Sequence, residues 1–250
     1  MSAFYNEIDP FAAAWLRKLI EAGAIAPGVV DERSIDDIRP DELSGFTQCH
    51  FFAGIGVWSY ALRCAGWPDD RPVWTGSCPC QPFSSAGKRG GFADERHLWP
   101  AWFHHISQCH PVVVFGEQVA RGNTKWIALC KSDMETEGYR FGVADMVAVD
   151  YSPQERRRFY FVADTIQNGL DWPWIPKEQR EGLPVFARCD NGFSWSSTPV
   201  PSNAADFRDI LLLPDGSPGD LASIAAYGNA IVAPVAEAWI RAYMCEKGGD

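Results

Sequence analysis

Cys80 lies in the run Gly76-Ser77-Cys78-Pro79-Cys80-Gln81-Pro82-Phe83-Ser84-Ser85-Ala86-Gly87-Lys88-Arg89, an unusual setting for a core thiol. A predicted strand, residues 72–77, leads straight into it, and its Gly, Ser and Pro content marks a surface loop. Packing against the strand end is the plain alternative for this thiol, and two other features bear on the choice. Glu117 closes an apolar strand predicted over 111–116, where an acid has no obvious packing role. Gln154, Arg156 and Arg158 alternate through Q-E-R-R-R just ahead of a strand predicted over 157–163, so their side chains share one face. A thiol, a carboxyl group and two arginines match what substitution at C5 of a cytosine requires. That carbon is too poor a nucleophile until a thiolate adds at C6, and a carboxylic acid at N3 with arginines at O2 and the backbone stabilises the charge that develops.

Placing these groups together calls for a sheet. Residues 3–8 read as a strand ending in Glu7, followed by a helix over 10–22 with Phe11, Ala14, Trp15 and Leu19 at helical spacing. Residues 46–52 read as a strand that runs into Ala53-Gly54-Ile55-Gly56 and then a helix through Ala65. Strand, glycine turn and helix form the usual cradle for a cofactor at the carboxyl end of a parallel strand. Further helices are predicted near 95–108, 122–137 and 230–245, with another strand near 140–150. The expected fold is therefore α/β, a Rossmann-like, mostly parallel mixed sheet. Residues 1–163 and 220–250 form its catalytic domain, and 164–219, rich in Pro, Trp and Gly without sustained periodicity, a small irregular insert.

Composition narrows the partners. The 250 residues are 46% hydrophobic and 22% charged, as in an ordinary globular protein, and no apolar run approaches the roughly 18 residues of a membrane span. No leader is evident in Met1–Pro10, so a cytoplasmic protein without membrane contact is expected. The net charge of −10 opposes a polyanion, but residues 51–163 hold 12 basic and 11 acidic side chains, including Lys88, Arg89 and the triple arginine. A nucleic-acid face belongs there, with strong salt dependence. The eight cysteines lack paired C-x-x-C spacing, so neither a disulfide framework nor a metal site is expected.

The same residues carry a family likeness. Residues 76–88 resemble the nucleophile loop of the DNA cytosine-5 methyltransferases, Phe52-Ala53-Gly54-Ile55-Gly56 their cofactor loop, and 154–158 their Q-x-R-x-R motif. Gly228-Asn229-Ala230-Ile231 with Pro234 is similar to their last motif. The resemblance implies S-adenosylmethionine as cofactor and DNA, duplex or single-stranded with a flipped base, as substrate, for marking DNA or protecting it from cleavage. It makes Cys80 the nucleophile, with Glu117 at N3, Arg158 at the base edge, and Gln154 and Arg156 in support. Ser84, with Gln81, Lys88 and Arg89, would meet the nucleic acid. Residues 52–56, Pro79, Leu98, Asn229 and Ala230 would surround the cofactor. A transfer-RNA cytosine is an alternative substrate, and a catalytically silent nucleic-acid-binding protein an alternative of another class. A monomer is the default.

The order of segments departs from the family. There the cofactor loop comes first, then an acid for the ribose, then an acid for the adenine. Here Glu7-Ile8 resembles the ribose segment and Asp36-Asp37-Ile38 the adenine segment, yet both precede the cofactor loop; solvated acids on an acidic N-terminal hairpin are the plain reading of the two. The expectation is a conserved sheet with rearranged connections, in which the right-handed crossover rule bears on the face taken by the first helix. Gln118 replaces the family's asparagine, which could loosen the Glu117 segment, while Val57 replaces a common glycine and His50 a common acid. The recognition interval, 164–219, is short; Trp172, Trp174, Trp195 and Arg188 would contact DNA there or form a small core.

Overall fold

The computed structural model describes residues 2–79, 98–120, 123–147, 157–165 and 231–247. Among them lie strands β1 (Ala3–Asn6), β2 (Gly28–Asp31), β3 (Gln48–Phe51), β4 (Val73–Gly76), β5 (Val113–Val119), β6 (Tyr139–Val147) and β7 (Arg157–Thr165). The helices are α1 (Pro10–Glu21), α2 (Val57–Cys64), α3 (Trp99–Cys109), α4 (Thr124–Thr136) and α5 (Ala233–Lys247). α1 starts where the side chain of Asp9 accepts the Ala12 N–H at 2.9 Å, with Pro10 in the first turn. Both choices suit a helix start, because the first-turn amides lack helical acceptors and proline has none to satisfy.

The strands form one seven-stranded sheet in the order β2-β1-β3-β4-β5-β7-β6. From β2 to β5 the neighbours run parallel, and β7 is antiparallel to both β5 and β6. β2 was not foreseen from the sequence. It pairs parallel to β1 through α1, so this region is a β-α-β unit and not a hairpin. Its Gly28 is there because a Cβ would fall 2.0 Å from the Ala3 carbonyl oxygen. β7 continues through Asp164 and Thr165, past the expected start of the insert; residues 166–219 lie outside the described residues.

Alternation along each strand divides the core in two. Ala3, Tyr5, Val73, Phe115 and Tyr160 face a layer made by α1, α2 and α5. Phe4, Phe51, Trp74, Val114 and Phe161 face the short 3₁₀ turns Ile35–Asp37 and Pro40–Leu43 together with α3 and α4. Burying an aromatic or large aliphatic side chain contributes about 1.5–3 kcal/mol, and both faces do so repeatedly. The first face is pinned at its far edge by Asp164, 1% exposed, which accepts from Arg140 Nη2 at 2.7 Å and from Tyr243 Oη at 3.1 Å.

Counting the glycine-turn strand β3 as first turns the spatial order into 3-2-1-4-5, the order of a doubly wound nucleotide-binding sheet. The sheet is kept and its connections are rearranged. β1-α1-β2 and β3-α2-β4 step in opposite directions across the sheet, yet α1 and α2 cover the same face, so the two crossovers have opposite hands. β4-α3-β5 steps as β3-α2-β4 does but over the other face, and so agrees with β1-α1-β2. Parallel crossovers are right-handed in about 98% of cases; by that rule β3-α2-β4 is the exception. α2 has kept its face, and with it the meeting of its N-terminus and the glycine turn, although the strand it feeds has changed.

Candidate active site

At the carboxyl end of β3 the chain reverses through Phe52 (φ 50°), Gly54 (φ 55°) and Gly56 (φ 82°). A left-handed residue with a side chain is uncommon, so Phe52 holds a strained position while the glycines hold theirs at no steric cost. The turn is tied to β1. Asn6 O accepts the Ala53 N–H at 3.0 Å, and Glu7 Oε2 accepts the Gly54 N–H at 2.6 Å. Glu7 Oε1 takes the Asp9 N–H at 2.9 Å. Burial pushes the Glu7 carboxyl above its ordinary value, and these amides only partly offset that. Asn6 Nδ2 donates to Asp31 O and Arg33 O, and Arg33 forks between Asp31 and Glu42 at 2.7 and 2.8 Å, bracing the end of β2.

On the other side of β4, Glu117 and Arg158 form an ion pair of 2.8 Å between Arg158 Nε and Glu117 Oε1. The antiparallel register sets Val119 opposite Arg158 and Tyr160 opposite Glu117, so the pair is a diagonal cross-strand one, within reach of long side chains. Glu117 is only 7% exposed. Gln118, also buried, donates from Nε2 to Cys78 O at 3.3 Å and accepts the Val119 N–H at Oε1 at 2.9 Å. Both ends of the longer amide have partners, so the exchange for asparagine ties the Glu117 strand to the chain leading to Cys80. The Cys78 thiol is pushed far above its ordinary value by burial and by the Glu117 charge, leaving it a poor nucleophile.

These two walls bound one cavity of about 430 Å³, a size within the usual range for ligand sites. It brings together Glu7, Ile8, Phe52, Ala53, Gly54, Ile55, Pro79, Leu98, Glu117 and Arg158 of the residues singled out from sequence. Gly56 stands just behind it as the left-handed cap of α2. Asp37 and Ile38 are not on its wall: Asp37 is exposed and Ile38 is packed in the core, because the 3₁₀ turn that starts at Ile35 carries them away. Ser34 and Ile35 line the cavity in their place; the signal available was Ser34, a capping residue at the head of the turn. Arg33, Trp58, Ser77 and Gln118 also line it and were not assigned to the site from sequence. Cys80, Gln81, Ser84, Lys88, Arg89, Gln154, Arg156, Asn229 and Ala230 lie outside the described residues.

A family model described as C-5 cytosine-specific DNA methylase matches residues 63–188, half of the chain. The chain belongs to that family. The matched span covers β4, the Cys80 loop, β5 and β7, and begins after the segments whose order has changed. The chain is 33% identical over 106 residues to the type II methyltransferase M.AplI of Arthrospira platensis, covering 40% of this chain and 30% of that protein. It is 32% identical over 167 residues to the type II methyltransferase M.HhaI of Haemophilus parahaemolyticus, covering 50% of this chain and 51% of the relative. It thus spans about half, or less, of the length of these curated relatives. Among solved structures, the Entamoeba histolytica methyltransferase EhMeth superposes with a TM-score of 0.55 at 13% identity, over 98% of this chain and 90% of that one, a likeness of fold.

Proposed function

We propose that this chain transfers a methyl group from S-adenosylmethionine to C5 of cytosine in DNA, with Cys80 as nucleophile. The observation that carries the reading is the shared cavity: the Glu7–Gly54 cradle and the Glu117–Arg158 pair flank the end of β4, and Cys80 follows that end by four residues. The cofactor fits the residues present. A Cβ at Gly54 would meet nothing within 4 Å, so the turn leaves room for a ligand to approach the backbone. The Glu7 oxygens each hold one amide and keep lone pairs for ribose hydroxyls. Exposed Ile8 offers an apolar surface to a flat ring.

Bound there, the cofactor would supply an electrophilic methyl group from its sulfonium and leave as the neutral thioether, S-adenosylhomocysteine. The chain's own residues do the rest. The Cys80 thiolate would form a bond to C6, and the electron pair displaced toward N3 and O2 would be met by a proton from the Glu117 carboxyl at N3 and by the Arg158 guanidinium at O2. C5, now an enamine carbon, takes the methyl group. Loss of the C5 proton to a base and departure of the thiolate restore the ring. Glu117 and Arg158, already in contact and largely screened from water, are preorganised for a developing charge, where fixed dipoles and charges act most strongly.

The decisive measurement is transfer of labelled methyl from S-adenosylmethionine to duplex DNA, single-stranded DNA and transfer RNA, beside Cys80→Ala. Label in DNA that vanishes in the variant, and a covalent adduct with 5-fluorocytosine DNA, are the expected results. Label confined to RNA would reassign the substrate. Transfer that survives Cys80→Ala would sink the assigned chemistry.

A further inference from the structure

The last residue of β4 is Gly76, and its register with β5 ends at Gly116. Ser77, Cys78 and Pro79 therefore leave the sheet, and Pro79 has no N–H to offer. Two side chains from opposite neighbours hold this stretch. Gln118 on β5 donates to the Cys78 carbonyl. From the other side, Trp58 in the first turn of α2 donates its indole Nε1–H to Ser77 Oγ at 3.1 Å. Trp58 is 4% exposed, its ring stacks on Phe115 and meets Tyr160 edge-on, and it lines the cavity together with Ser77. A rigid, buried ring that begins two residues after Gly56 thus reaches the residue three places ahead of Cys80.

We propose that Trp58 is a positioning residue for the nucleophile: its hydrogen bond to Ser77 sets the root of the Cys80 loop from the cofactor turn, so that cofactor occupancy and placement of the thiol are coupled. This rests on the methyltransferase reading for its consequence in rate, though not for the coupling itself. The rearranged connection gives it a special use. α2 leads directly into β4 through the exceptional crossover, so the Trp58–Ser77 bond joins the beginning of that helix to the end of the strand it feeds. A bond that served only to staple the helix would act on stability and leave the thiol's response to cofactor alone.

The test uses the full chain with Trp58→Phe, Ser77→Ala, their double variant and Ser77→Thr. Phenylalanine keeps a ring and loses the donor; threonine keeps the acceptor. Two readings are taken: kcat for methyl transfer with the Kd of S-adenosylmethionine, and the rate at which iodoacetamide alkylates Cys80 with and without S-adenosylhomocysteine. Trp58→Phe and Ser77→Ala are each expected to lower kcat about 10- to 100-fold, the range for a misplaced reacting group, with Kd changed less than about 2-fold. The double variant should be no slower than the slower single one, and Ser77→Thr should match the parent. Cys80 alkylation should respond to S-adenosylhomocysteine in the parent and in Ser77→Thr, and not in the other three. Losses that add in the double variant, or a Cys80 response that persists in Trp58→Phe and Ser77→Ala, would overturn the proposal. A parent that transfers no methyl would instead overturn the methyltransferase reading, and the alkylation response would still decide the coupling.

Discussion

The two walls of the cavity are built differently. The wall on β1 and β3, proposed to hold the cofactor, is a main-chain turn tied to one carboxylate: left-handed residues at 52, 54 and 56, the Ala53 N–H on the Asn6 carbonyl, and the Gly54 and Asp9 N–H groups on the Glu7 carboxylate. The opposite wall, on β5 and β7, is held by side chains, an ion pair and one bridging amide. Main-chain donors that meet an acceptor on the next strand need only that the strands be neighbours, whatever connects them. The first wall has therefore accepted a change in chain order, and the second keeps the order of its family. The difference also separates their failures: loss on the side-chain wall should appear in rate, and loss on the backbone wall in cofactor affinity and in stability.

Glu117→Gln tests the side-chain wall most severely. It keeps the shape and replaces the acid proposed to give N3 its proton with an amide that can only donate a hydrogen bond. Single-turnover methyl transfer should slow about 10²–10³-fold, the usual loss for a preorganised group at developing charge, while the Kd for S-adenosylmethionine stays within about 2-fold. A variant as fast as the parent would end the assignment of that acid.

Beneath the backbone wall lies a different kind of group. His50 is 1% exposed, bonds Thr75 through Nδ1 at 2.8 Å and stacks on Tyr5; burial pulls its pKa down to about 3 from 6.5. The folded state holds this imidazole neutral while the unfolded chain protonates it below about 6.5. Its stability contribution is whole above that pH and is lost as pH falls toward 3, on the order of a few kcal/mol, with about one proton taken up on unfolding. Denaturant melts between pH 7 and 4 should show that slope, and a His50→Gln chain that still folds should lack it. An unchanged slope in the variant would place the acid sensitivity elsewhere.

Gly54→Ala is milder. Nothing crowds the added methyl, so the cost comes from φ 55° and is about 1 kcal/mol of stability. The methyl stands beside the cavity where the cofactor backbone contact is expected, and calorimetry should show affinity reduced about 10-fold. Retained affinity with the same loss of stability would move the ligand away from the turn.

How far the sequence could be read follows the same division. Phe52–Gly56 and Tyr5–Pro10 each carry a local pattern, glycines at a turn and an acid at a strand end, and the family resemblance set beside their positions implied an altered order. β2 escaped because Gly28–Asp31 is four residues at a sheet edge, with an intermediate-to-exposed pattern and no alternation to detect. The displacement from Asp37 to Ser34 and Ile35 depended on where a three-residue turn starts, a choice that spacing does not make. The Trp58–Ser77 bond joins two unremarkable residues 19 positions apart, and the hand of β3-α2-β4 follows from which face α2 occupies. Both are tertiary facts with no local signature.

The smallest predicted effect sharpens the comparison at Glu7 itself. Burial raises the pKa of its carboxyl, so folding shifts it toward the protonated form relative to the unfolded chain. That contribution to stability is present at low pH and lost as pH rises through the raised value. Cofactor binding has the opposite sign, since ribose hydroxyls donate to the ionised carboxyl and favour it. Affinity for S-adenosylmethionine should therefore fall severalfold as pH drops through the Glu7 titration, and binding in that window should release a fraction of a proton, by linkage. Calorimetry in two buffers of different ionisation enthalpy measures that release. In Glu7→Gln the release should disappear while the Gly54 N–H keeps an acceptor. Proton release unchanged in the variant would show that another group senses the cofactor, and the backbone wall would then lack the one side chain assigned to recognise what it cradles.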